Sequence, residues 1–166
     1  MKLIAINASP SDTSKTHAVA AAAVELAGGG TVLDIGSLDA DALLLRGSHQ
    51  SVAKAIAAID ASDVVVLVTP TYRATYSGLL KVLLDQLPTA AFAGKACILA
   101  ATAGGPAHFL SLDTGMRALV ASLGGWSVPT VVYVTGDDFD DDDNPGAGVL
   151  EPLGRALDEA RRVVGG

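Results

Sequence analysis

Four short apolar runs that do not alternate, Leu3 to Ile6, Val64 to Val68, Cys97 to Ala101 and Val131 to Val134, constrain this chain more than any other feature. A strand with one wet face alternates apolar and polar residues, so unbroken runs of this length mark strands buried on both faces. Thr31 to Ile35 is a weaker fifth run. Strands covered on both sides need helices, and helical patterns separate the runs. Tyr76, Leu79, Leu80, Leu83, Leu84 and Leu87 share one helical face, with Pro88 as its stop. Phe109, Leu112, Met116, Leu119, Val120 and Leu123 form a second face, and Gly124 and Gly125 follow as a helix end. The alanine-rich segment 16–27 supplies a further helix, as do segments 51–61 and 150–164.

The alternating order of strands and helices implies right-handed crossovers and an α/β architecture. Five strands suit a flavodoxin-like, three-layer, doubly wound parallel sheet of order 2-1-3-4-5. Residues 1–166 read as a single domain, which buries roughly 70% of the surface its unfolded chain exposes. Only 17% of the residues are charged, consistent with a sheet covered on both faces. The net charge of −7 comes without a basic stripe, which excludes the phosphate-backbone binding of a nucleic-acid protein. A lone cysteine, Cys97, inside an apolar run rules out a disulfide framework or a thiolate metal cluster. No run reaches the ~18 apolar residues of a membrane span and no signal-peptide pattern opens the chain, so a cytoplasmic address is expected. The run Asp137, Asp138, Asp140 to Asp143 lacks the spacing and glycine of a calcium loop and is expected to be a solvated, flexible loop beside the site.

Ligands of an open parallel sheet bind beyond the carboxyl ends of the strands, at the point where the winding reverses. The loops after strands one, three and four are all unusual. The first, Asn7 to Thr16, offers hydroxyls and amides at a helix start, with Lys15 as a compensating cation. It suits a phosphate, although Ser and Thr are also ordinary helix caps. Neither GxGxxG nor GxxxxGK[ST] occurs there, so a dinucleotide or a Walker-type phosphate loop is not expected. The second, Thr69 to Gly78, carries Tyr72 and Tyr76 between Pro70 and Gly78, where a planar ring could be walled in. The third, Thr102 to His108, presents small residues whose backbone can hydrogen-bond a heterocycle's edge. A histidine such as His108 at a helix start is more often structural than catalytic.

On these residues the chain resembles the NADPH-dependent FMN reductases, especially those serving two-component sulfonate monooxygenases. The matching segments are TPTYRATYSGLLKVLLDQLP (69–88), ATAGGPAHFLSLDTGMRALVASLGG (101–125) and the opening NASPSDTSKT. The resemblance implies an FMN whose phosphate meets Ser9, Ser14, Lys15 and Thr16. The ribityl chain and ring would meet Pro70, Thr71, Tyr72 and Arg73, and backbone at Thr102, Ala103, Gly104 and Gly105 would meet the pyrimidine edge. It also implies NADPH or NADH as hydride donor, a flavin-dependent monooxygenase as partner, and a homodimer or homotetramer in which Tyr76 is either an interface residue or core. Hydride passes directly between the two cofactors, so no catalytic side chain is expected.

The chain departs from the sulfonate-linked reductases at one point. Those carry an inserted aromatic residue associated with a π-bulge and flavin release, and Thr114 occupies that region here. Two alternatives therefore stand beside release of reduced FMN: prosthetic FMN reducing quinones or azo compounds, and a non-enzymatic flavodoxin-type carrier. A phospho-receiver domain is excluded, since Thr69 and Pro70 stand where it needs an aspartate.

Overall fold

The computed structural model describes residues 1–165. Its strands are β1 (Leu3–Asn7), β2 (Thr31–Asp34), β3 (Val64–Pro70), β4 (Ala96–Thr102) and β5 (Trp126–Val134). They form one parallel sheet in the expected order, β2-β1-β3-β4-β5. The helices are α1 (Lys15–Ala27), α2 (Ala40–Leu43), α3 (Gln50–Asp60), α4 (Gly78–Leu84), α5 (Arg117–Ser122) and α6 (Ala147–Val164).

Strand residues alternate between two cores because successive side chains point to opposite faces. Val65 and Leu67 of β3 join Ile4, Ile6 and Leu99 against α3, α4 and α5. Val64, Val66 and Val68 face α1 and α6 instead. That second core is rich in alanine, including Ala5, Ala20, Ala23, Ala100 and Ala156, which lets two helices approach the sheet closely. Gly28 ends α1 at φ +81°, with Gly29 N–H donating to the Val24 carbonyl at 3.0 Å. This left-handed cap is why a glycine stands there.

Three elements differ from the sequence expectation. The segment read as one helix from Phe109 to Leu123 is a 3-10 turn (Pro106–His108), a π-helical turn (Leu112–Met116) and then α5. Arg117 N–H donates to the Leu112 carbonyl, five residues back, and this wider turn shifts the helical face. Leu112, Met116 and Val120 stay buried while Phe109 and Leu110 are exposed. Helix α4 ends at Leu84, ahead of Pro88, because its last turn tightens into Gln86 N to Leu83 O (3.1 Å) and Leu87 N to Leu84 O (3.2 Å). Strand β5 starts at Trp126, well before the apolar run, since it is an edge strand with a bulge around Pro129. The bulge is satisfied from both sides. Arg117 donates to the carbonyls of Val128 (2.8 Å) and Pro129 (2.7 Å), and Glu159 accepts from Thr130 N (2.8 Å) and Oγ1 (2.7 Å).

Candidate functional site

The loops after β1, β3 and β4 converge at the carboxyl edge of the sheet. In the first, Asn7 at the end of β1 accepts from Ser9 N–H at 3.0 Å and donates to the Ser11 carbonyl (3.2 Å) and to Asp34 Oδ1 (2.8 Å). The same Asp34 oxygen meets His17 Nδ1 at 2.8 Å. Asp34 therefore ties the loop, β2 and α1 together. From the other side Gly36 presses on Pro10, where an added Cβ would lie 2.6 Å from the Pro10 carbonyl oxygen.

The hydroxyls proposed as phosphate ligands already have partners. Ser9 Oγ accepts from Ser11 N–H at 3.2 Å, and Ser14 Oγ caps α1 by accepting from His17 N–H while donating to the Ser11 carbonyl. Thr16 Oγ1 is buried and turned to Thr102 Oγ1, 2.8 Å away. The amides of Lys15 and Thr16 in the first turn have no acceptor within the helix, as in any α-helix, and sit at the positive end of its dipole.

Ser77 locks the second loop to the first. Its Oγ donates to the Ala8 carbonyl at 2.8 Å and caps α4 at Leu80 N–H, and its own N–H donates to Thr69 Oγ1 at 2.9 Å. Within the loop Tyr72 and Thr75 exchange backbone bonds of 2.9 and 3.2 Å. The intervening Arg73 and Ala74 both take left-handed backbone, φ +51° and +64°. Neither is glycine, so the turn holds strain of roughly 1 kcal/mol per residue. It sets Tyr72 outward, 53% exposed.

The second and third loops meet through Thr71 N–H, which donates to the Thr102 carbonyl at 2.7 Å. The third is pinned to β5 by Ala103 N–H to the Val134 carbonyl (2.9 Å) and by Tyr133 Oη, which donates to the Gly105 carbonyl at 2.8 Å. Gly104 and Gly105 have nothing within 4 Å of where a Cβ would stand.

An open cleft of about 230 Å³ lies among Lys15, Pro70, Thr71, Tyr72, Thr102, Ala103 and Gly104. Thus seven of the twelve expected site residues line one surface. Thr16 joins it through Thr102, Ser9 and Ser14 order the loop that leads into α1, Arg73 lies in the adjacent strained turn, and Gly105 carries the Tyr133 bond. Thr71 Oγ1 is a buried side-chain oxygen with no hydrogen-bond partner among the described residues. Larger clefts, of about 430 Å³ beside Lys2 and Gly30 and about 320 Å³ beside α3, lie away from these loops.

The acidic segment after β5, expected as a flexible loop, is instead a turn closed by its own hydrogen bonds. Asp140 accepts from Asn144 Nδ2 (3.0 Å), Asn144 N–H (2.8 Å) and Asp142 N–H (3.0 Å), which holds its carboxyl below the usual range. Asp143 reaches Lys15, with 2.5 Å between Oδ1 and Nζ, and the same ammonium lies 5.5 Å from the centre of the Phe139 ring.

Sequence reasoning missed the roles of Asp34, Ser77 and Tyr133. Ser77 ahead of an apolar helix carried a readable cap signal. The other two act through partners distant in sequence and left no local signal.

The sheet order, with a cleft among the loops at its winding reversal, defines a flavodoxin-like α/β protein. Residues 1–140 match the family described as NADPH-dependent FMN reductase, and the chain belongs to that family. It is similar to the solved apo form of the NADH:FMN oxidoreductase EMOB, with a TM-score of 0.85 and 35% identity, covering 97% of this chain and 88% of that one. It is 38% identical over 84 residues to the NADH-dependent FMN reductase SfnF of Pseudomonas fluorescens, 51% of this chain and 45% of that protein. An NADPH azoreductase of a Bacillus species is 31% identical over 142 residues, 82% of this chain and 78% of that protein. The chain spans about half the length of SfnF. No helix among the described residues is long and apolar enough to cross a membrane.

Proposed function

We propose that the chain is an NAD(P)H-dependent FMN reductase that binds flavin in the cleft between its three loops. The observation that carries this reading is Thr71 Oγ1. A buried hydroxyl without a partner costs stability unless something else completes its hydrogen bonding, and this one belongs to a residue lining the cleft.

The residues fit the mononucleotide along its length. Lys15 and the first-turn amides of α1 suit the phosphate, held on the scaffold of Ser9, Ser14 and Thr16. Pro70, Thr71, Tyr72 and Arg73 suit the ribityl chain and ring, and the backbone of Thr102 to Gly105 suits the polar ring edge. The absence of a contact around the Gly104 and Gly105 Cβ positions leaves room for close approach. When bound, FMN supplies a ring that accepts hydride from NADPH or NADH and passes the electrons on.

The protein's own work is to bind, orient and leave one ring face open. Its cleft of about 230 Å³ is smaller than the ~300–1,000 Å³ of sites that enclose a ligand. A partly exposed ring is what a nicotinamide must stack on. Proton transfer by a side chain is not required, in keeping with the exposure of His108.

Titrating the purified protein with FMN and following the quenching of flavin fluorescence tests the binding step. Saturable one-to-one quenching supports the reading, and loss of that quenching in Thr71→Val places the ring end at Thr71. The acceptor belongs to this proposal as well. The likeness to SfnF favours supply of reduced FMN to a flavin-dependent monooxygenase, and the π-helical turn at Thr114 persists without an aromatic residue. The likeness to an azoreductase over most of the chain favours a second reading, direct reduction of azo compounds or quinones. Tyr72, Phe109 and Leu110, apolar side chains each more than half exposed, support association into a homodimer or homotetramer. One FMN-binding domain acting in the cytoplasm completes the reading.

A further inference from the structure

Lys15 is the cation of the phosphate end of the cleft, and it is already neutralised. Asp143 Oδ1 stands 2.5 Å from its Nζ, and the Phe139 ring lies beside the same ammonium. The contact is built by the loop and is not a chance meeting of two long side chains. Asp143 N–H donates to the Asp140 carbonyl at 3.0 Å, and Asp140 N–H donates to the Asn144 carbonyl at 3.0 Å. The Asp140 carboxylate closes the turn onto Asn144. Asp143 itself takes left-handed backbone, φ +61°, a conformation in which Asp and Asn are the best tolerated residues after glycine. The base of the loop is fixed by the bond from Gly146 N–H to the Asp138 carbonyl and by the pairing of Phe139 with Pro145.

We propose that Asp143 sets the flavin specificity of the cleft: by occupying Lys15 it holds down the preference for a phosphorylated flavin over riboflavin. This rests on reading the cleft as a flavin site with its phosphate end at Lys15. A phosphate arriving there exchanges one anionic partner of Lys15 for another, so the ammonium contributes little net affinity. Asp140, Asp141 and Asp142 on the same turn oppose the added negative charge. Riboflavin, which keeps the ring and ribityl contacts, then forgoes only what the first-turn amides of α1 give the phosphate. Because Lys15 and Asp143 are 38% and 54% exposed, solvent screening limits the effect.

The test is a double-mutant cycle of Asp143→Asn and Lys15→Met, with each protein titrated separately with FMN and riboflavin. Asp143→Asn keeps the left-handed turn, and Lys15→Met keeps an apolar stem over Phe139. Asp143→Asn is expected to tighten FMN about three- to fivefold and leave riboflavin unchanged. Lys15→Met is expected to change FMN binding by less than about twofold alone, but to cancel the gain in the Asp143→Asn background. Equal tightening of both flavins, or of neither, by Asp143→Asn overturns the proposal. If all four proteins bind FMN and Lys15→Met matters in neither background, the phosphate end lies elsewhere and the proposal fails while the flavin site stands. If none binds FMN, the flavin reading fails and takes the proposal with it.

Discussion

Thr16 and Thr102 place their hydroxyl oxygens 2.8 Å apart, joining the first turn of α1 to the end of β4 beneath the cleft. Thr16 is buried, so removing its partner strands a hydroxyl away from water. Thr102→Val should destabilise the fold by about 1 to 2 kcal/mol and weaken FMN binding. Thr16→Val with Thr102→Val together should cost less than the sum of the two single changes. Urea unfolding of the three variants checks this, and strict additivity would show that the pair does not interact.

Thr71 presents the opposite case. Its Oγ1 has no partner among the described residues, so Thr71→Val removes a stranded hydroxyl at nearly constant shape. The flavin-free protein should gain about 1 kcal/mol of stability while its affinity for FMN falls. A variant that is less stable and binds FMN normally would show that the hydroxyl serves the fold.

Gly104 has no positive φ to hold and nothing near its Cβ position. Gly104→Ala should therefore fold with unchanged thermal stability, yet set a methyl group in the space offered to the ring edge and raise the KM for FMN. Lost stability with normal KM would move the flavin away from this loop.

Much of this architecture was legible beforehand, and the exceptions share a cause. The strands announced themselves because burial on both faces leaves unbroken apolar runs, and Gly124 read as a helix end because only a left-handed residue closes that turn, φ +79°. The π-helical turn at Leu112–Met116 was not legible, since widening one turn changes no residue type. Trp126 to Thr130 did not read as strand because the edge strand is interrupted by a proline and completed by Arg117 and Glu159 from elsewhere. The three loops singled out by topology do come together at the carboxyl edge of the sheet. Their internal bonding, such as Asp34 holding Asn7 and His17, depends on side chains brought together only by the fold.

Ala74 sits at φ +64° in the Tyr72–Thr75 turn. Ala74→Gly should relieve that strain and stabilise the protein by roughly 0.5 to 1 kcal/mol, read as a higher urea midpoint. Destabilisation would mean that the turn's geometry is set by something other than its own backbone.

Burial pushes the Cys97 thiol up to about 12. A folded-state value above the unfolded ~8.5 gives stability that is complete below about pH 8.5 and is lost as pH rises toward the folded value. At about pH 10 the wild type should have lost about 2 kcal/mol that Cys97→Ala does not lose. Urea unfolding of both proteins at neutral pH and at pH 10 checks it, and a constant difference between them would contradict the buried neutral thiol.

The most direct test of the central claim is to mix the purified protein with NADPH or NADH and follow nicotinamide absorbance with and without added FMN. Oxidation that requires FMN and saturates with it is the predicted result. Flavin that binds without any nicotinamide oxidation would make the protein a carrier of electrons, and neither binding nor oxidation would contradict the flavin reductase reading altogether.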